Sequence, residues 1–178
     1  NATKLRQSIA AEDTYSLPQI KLDGFEDIDN VHGDELIEAI ESSYNKAGMD
    51  ETIILCRSNK RANVYNEGIR RRILYREEEL SRGDMLMIVK NNYYWIEKEL
   101  REAPLPSSPP LSFIANGDIA VVRRVRRTRE LYGFRFADVL LTFPDYDDYE
   151  LEATILLDTL HSESPALTRE ESDRLFEG

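Results

Sequence analysis

The run Thr52-Ile53-Ile54-Leu55 passes directly into the polar, basic stretch from Cys56 to Asn66, and this junction constrains the fold more than any other part of the chain. Four apolar or β-branched residues in succession predict a buried strand over 52–56. Ser58 or Asn59 then caps a helix over 60–75, with Lys60, Arg61 and Asn63 on its first turn. A strand that ends in a basic helix start gathers backbone N–H groups and cations at one sheet edge. Such an edge suits phosphate. The segment therefore points to nucleotide or nucleic-acid contact.

Around this junction the pattern is α/β in its first half. A short helix is expected over 1–12, with Leu5 and Ile9 four apart, followed by an Asp- and Gly-rich loop over 13–33. Asp34 to Ala47 reads as an amphipathic helix that turns Leu36, Ile37, Ile40 and Tyr44 inward and stops at Gly48. After about residue 82 the pattern becomes strand-rich. Asp84–Lys90 is a strand candidate, Asn91–Trp95 a loop, and Ala103–Leu111, with four prolines and two serines, a loop or linker. The turn Asn116-Gly117-Asp118 leads into a strand from Ile119 to Val125. Two more strands follow over 131–142 and 149–157, with Pro144–Asp148 between them as a hairpin loop. Short strands in succession suggest a small barrel or rolled sheet. Thr168-Arg169-Glu170-Glu171 resembles a capping box opening a last helix.

Net charge is −11, which argues against a polyanionic partner until its distribution is considered. Residues 1–50 carry 4 basic and 11 acidic groups, residues 51–136 carry 17 and 11, and residues 137–178 carry 2 and 12. A basic middle between acidic flanks can still present a local positive surface. One cysteine, Cys56, excludes an internal disulfide and fits a reducing cytoplasm; at the end of an apolar strand it is expected to be structural. No apolar run approaches the ~18 residues of a membrane span. The start, Asn1-Ala2-Thr3-Lys4, has neither an initiator Met nor a signal-peptide core, and reads as a cut inside a longer protein.

Several chemistries lack their residues. None of the eight glycines is followed by lysine, so there is no Walker A loop. One Cys and two distant His, His32 and His161, cannot build a zinc site. No Gly-x-Ser-x-Gly elbow occurs, and Asp147-Asp148 reads as hairpin polarity rather than a metal site. Two signals remain besides the opening junction. Five arginines fall within Arg123–Arg129. Strict alternation would place Arg124 and Arg126 on one face and Arg123, Arg127 and Arg129 on the other. Such a ribbon either grips a phosphate backbone or blunts an edge strand. Tyr93, Tyr94 and Trp95 either stack on bases or, for two of the three, fill the barrel core.

Three stretches together resemble the C-terminal motor region of RecD-like superfamily 1 DNA helicases, the bacterial group of exonuclease V alpha subunit-like ATPases. The first is Ile53-Ile54-Leu55-Cys56-Arg57-Ser58-Asn59-Lys60, continuing to Asn63, Asn66 and Ile69-Arg70. It is similar to a strand–helix segment early in the second RecA-like domain. The second, Gly83-Asp84 through Met87-Ile88-Val89-Lys90-Asn91-Asn92-Tyr93, resembles the lead-in to an inserted SH3-like barrel. The third, Phe113-Ile114-Ala115-Asn116-Gly117-Asp118, resembles the Asn-Gly-Asp turn of that barrel.

The resemblance implies an excised piece of an ATP-dependent motor. Residues 1–82 would be part of the second RecA-like domain, 83–142 the SH3-like insertion, and 143–178 a return strand and helix. Walker A, the magnesium-binding acidic motif and the arginine finger of such motors have no counterpart here. ATP and magnesium would thus belong to the presumed full-length protein, with no catalytic, cofactor or metal residue in this piece. Implied partners are single-stranded DNA and the first motor domain of the same protein. Arg57, Ser58, Asn59 and Lys60 would lie nearest DNA or the interdomain cleft, with Asn63 and Asn66 supporting them. Asn116, Arg124 and Arg126 would guide the strand along the barrel. The competing expectation is a non-enzymatic protein-interaction module, compatible with the acidic termini and the Ser/Pro-rich loop.

Overall fold

A computed structural model describes residues 2–11, 15, 17, 20–102, 110–162 and 167–177. It divides into two compact units, 1–53 and 54–178. Most of the Pro-rich loop, 103–109, lies outside the described residues.

The first unit holds α1 (Ala2–Ala10) and α2 (Leu36–Ala47). The stripe expected of α2 is present: Ile40 is buried, and Leu36, Ile37 and Tyr44 are half-buried. Gly48 ends the helix at φ +95°, its N–H donating to the Tyr44 carbonyl at 3.0 Å. Only glycine takes that conformation without steric cost.

The second unit combines α3 (Asn59–Arg72), α4 (Tyr94–Glu102) and α5 (Arg169–Glu177) with a curled four-stranded antiparallel sheet. Its strands are β1 (Met85–Met87), β2 (Ile119–Leu131), β3 (Phe134–Phe143) and β4 (Tyr149–Leu156), in spatial order β1-β2-β3-β4. One face is the core. Val122, Ala137, Val139, Leu141 and Leu151 are each at most 2% exposed. Opposite residues in an antiparallel ladder share a face, and the pairs Val122–Leu141, Leu141–Leu151 and Val139–Ala153 stack that face into rows. Ile96 of α4, Leu111, Ile114 and Leu157 close the cluster. Each buried Val, Leu or Ile side chain here contributes about 1.5–3 kcal/mol.

Four expectations change. Residues 52–56 belong to no ladder among the described residues. Their exposure alternates with period two, as in a strand, with Ile53 82% and Leu55 87% exposed. A strand needs a neighbour hydrogen-bonded along its length, and no described segment pairs with these residues. Consequently Cys56 is a free, half-buried thiol that ends no strand. The expected loop at 91–95 instead runs into α4. The Asn92 side chain accepts from the Trp95 N–H at 3.4 Å, and Glu97–Arg101 and Lys98–Glu102 pair one turn apart at 4.0 Å. Of the three neighbouring aromatics only Trp95 packs on the core; Tyr93 and Tyr94 are more than half exposed. The fourth change concerns β2.

Candidate nucleic-acid interface

Two irregularities in β2 decide where its arginines go. The β2–β3 register shifts between Val122 and Arg124 and again between Val125 and Arg127, so Arg123 and Arg126 are the extra residues of two bulges. Arg124 lies opposite Leu140, Arg127 opposite Asp138 and Arg129 opposite Phe136. All three partners are on the face away from the core. The extra residues reach the same face: Arg123 donates to the Thr142 hydroxyl at 2.8 Å, and Arg126 makes two bonds to the Glu152 carboxylate at 3.0 and 2.5 Å. Five arginines thus share one face, where strict alternation would have split them. A one-residue bulge inverts every side chain beyond it: the first bulge brings Arg124 to the outer face, and the second restores the original alternation, so that Arg127 and Arg129 stay there.

These arginines differ in what they touch. Arg126 is held by Glu152, and Arg129 by Asp138 at 2.5 Å. Asp138 also accepts from the Thr154 hydroxyl at 2.7 Å, and this bond, with the nearby Arg129 and Arg127 charges, holds its carboxyl below the usual range. Arg124 and Arg127 are exposed and form no ion pair among the described residues. Arg124 also lines a polar recess of about 550 Å3 with Arg82, Arg123, Glu78 and Glu150.

The start of α3 is built as its residues dictate. Ser58 is extended at φ −152°, ψ 153°, and its hydroxyl accepts from the Arg61 N–H at 3.3 Å. No acidic residue occupies the first turn, so the positive end of the helix dipole is not offset there. Arg57, Ser58, Asn59, Lys60 and Asn66 are exposed. The Asn63 amide donates to the Ser162 carbonyl at 3.1 Å, which joins α3 to the segment after β4. Asn59, Asn63 and Asn66, spaced along one helical face, line a groove of about 440 Å3 opposite Met85–Lys90 and Ala153–Leu156.

Asp84 connects α3 to the sheet. Its carboxylate, 6% exposed, accepts from Arg70 at 3.2 and 2.8 Å, Arg76 at 2.7 Å and the Ser81 N–H at 2.7 Å. Burial pushes the Asp84 carboxyl up, but the donors of Arg70, Ser81 and Arg76 together hold it below its ordinary value.

The Asn116-Gly117-Asp118 turn forms as expected and works as a brace. Asp118 accepts from the Ala115 N–H at 2.7 Å and from the Tyr146 hydroxyl at 3.2 Å, and Gly117 sits at φ +99°. The Asn116 N–H donates to the Asn91 side chain at 2.8 Å, leaving the Asn116 side chain at the surface. Beside it Tyr93 stacks on Phe113, ring centroids 4.8 Å apart.

The structure therefore gathers Arg124 and Arg126 on one face and Arg57–Lys60 at the start of α3, with Asn66 two turns further along the helix. Arg127 belongs with Arg124, and sequence periodicity assigned it to the opposite face. A bulge has no single-residue signature, but the run of five arginines broken only by Val125 and Thr128 fits a three-residue as well as a two-residue spacing. No helix among the described residues is long and apolar enough to cross a membrane. No family model, curated protein or solved structure matches the chain.

Proposed function

We propose that this chain grips single-stranded DNA as part of a RecD-like, ATP-dependent helicase motor, with its curled sheet serving as an SH3-like insertion beside part of the second RecA-like domain. One observation carries the reading: five arginines share one face, and among the described residues Arg124 and Arg127 form no ion pair, Asp138 opposite Arg127 being already bound by Arg129. A face of this kind binds phosphates without reading sequence. Arg126 and Arg129, already paired, stiffen that face. Arg57, Lys60 and Asn66 extend the contact along α3, and Asn63 holds the helix in place. In this reading ATP and magnesium would be held by the remainder of the motor, since the sequence contains no Gly-Lys pair.

The test is fluorescence anisotropy of labelled oligo(dT) against salt concentration. Removing two phosphate contacts with Arg124→Ala and Arg127→Ala should reduce the log–log salt slope by about 1.4. An unchanged slope refutes the site, and wild-type protein without salt-sensitive affinity refutes the function.

A protein-interaction reading is favoured by the bare Ile53 and Leu55 side chains. It predicts no salt-dependent oligonucleotide affinity and self-association or partner binding that Leu55→Lys abolishes.

A further inference from the structure

β2 and β3 are joined by a two-residue turn, Tyr132-Gly133, closed by the pair Leu131–Phe134, of which Phe134 is buried. Both turn residues have left-handed backbones, at φ +56° and +75°. Two such residues joining antiparallel strands form the turn that favours Asn-Gly or Gly-Gly. Glycine fills the second position without strain. Tyrosine at the first is a bulky residue held in a conformation it disfavours. Arg174 of α5 covers the Phe134 ring at 4.8 Å and approaches Gly133, but Tyr132 itself is 50% exposed and Leu131 44%, and among the described residues the Tyr132 side chain has no ring contact or hydrogen bond. The stem below the tip is the arginine face. Residues 123–138 contain six arginines and two carboxylates. Some of that charge is already neutralised, since Arg135 binds both Glu79 and Asp158. Arg127, four rows below the closing pair, forms no ion pair among the described residues.

A strained, half-exposed aromatic at the end of a basic hairpin is costly as structure and suited to contact with a base. We infer that Tyr132 stacks on an unpaired base of single-stranded nucleic acid whose phosphates lie along the Arg124–Arg127 face. This inference rests on the proposed DNA grip and adds a base contact to it. Stacking is sequence-tolerant because every base offers a π-face.

The experiment compares the full chain with Tyr132→Asn and Tyr132→Phe in thermal unfolding and oligo(dT) binding. Tyr132→Asn installs the favoured Asn-Gly turn, so Tm should rise by about 2–4 °C. Affinity should fall about tenfold, in the range of one lost base stack, while the salt slope stays unchanged. Tyr132→Phe should bind like wild type. An oligonucleotide of abasic sites should bind wild type and Tyr132→Asn equally. If Tyr132→Asn is stable but binds oligo(dT) like wild type, the base contact is refuted while the arginine face stands; the tip is then better suited to a protein partner. If wild type shows no salt-sensitive binding at all, the DNA grip and the base contact fall together.

Discussion

Arg70 of α3 meets the carboxylate of Asp84 through two hydrogen bonds, 3.2 Å from Nε and 2.8 Å from Nη2, across fourteen residues of sequence. The same Nη2 donates to the Glu78 carbonyl at 2.7 Å, and Arg76 approaches Asp84 from the other side at 2.7 Å. The backbone around Asp84 is joined to β2 as well, since the Val122 N–H donates to the Asp84 carbonyl at 2.9 Å. One carboxylate thus sets where the basic helix lies against the sheet.

Replacing Asp84 by alanine should cost about 3–5 kcal/mol, because two guanidinium groups lose their buried partner. Urea unfolding of the variant checks this. The pH dependence has a defined sign. The folded carboxyl lies below its ordinary value, so its contribution is complete above about pH 4 and lost as pH falls through the folded pKa. Wild type should weaken as pH falls below about 4, and Asp84→Asn should flatten that part of the curve.

Gly83 precedes Asp84 at φ +85°, and its N–H donates to the Val122 carbonyl at 2.7 Å. A Cβ at this position would lie 2.9 Å from Arg76 Nη2. The arginine tip can swing away, but only by leaving Asp84. Gly83→Ala should therefore destabilise by about 1–3 kcal/mol through backbone strain alone. In the Asp84→Asn background the added penalty from displacing Arg76 should shrink, and a double-mutant cycle measures that coupling.

Asn63 provides a contrast with the arginines. Its amide joins α3 to Ser162, ninety-nine residues away. Asn63→Ala should lower stability by about 1 kcal/mol and leave the oligo(dT) salt slope unchanged. A slope reduced as far as in the Arg124→Ala, Arg127→Ala variant would show that Asn63 acts at the phosphate contact as well.

Local signals were legible in the amino-acid order. Ser58 caps α3 and Gly48 ends α2 as read. The Asn116-Gly117-Asp118 turn forms, and Thr168 and Glu171 satisfy one another's backbone N–H groups at 3.3 and 2.8 Å. Each depends on residues within three or four positions of one another, so sequence spacing contains the needed information. The strands β3 and β4 were legible for a related reason: alternating apolar residues between turn residues have few other ways to bury one face.

The site was less legible because its geometry depends on partners remote in sequence. Whether Arg124 and Arg127 share a face depends on how β2 pairs with β3, and the bulge at Arg126 between them reverses the answer that alternation provides. The apolar run 52–56 has a strand's composition and forms no ladder, since a strand exists only with a neighbour. By itself the sequence determined the caps, the turns and the concentration of arginine in the middle of the chain. Only the tertiary structure decided which arginines are already neutralised by carboxylates and which remain available, because pairing and register are properties of strands brought together rather than of any one segment.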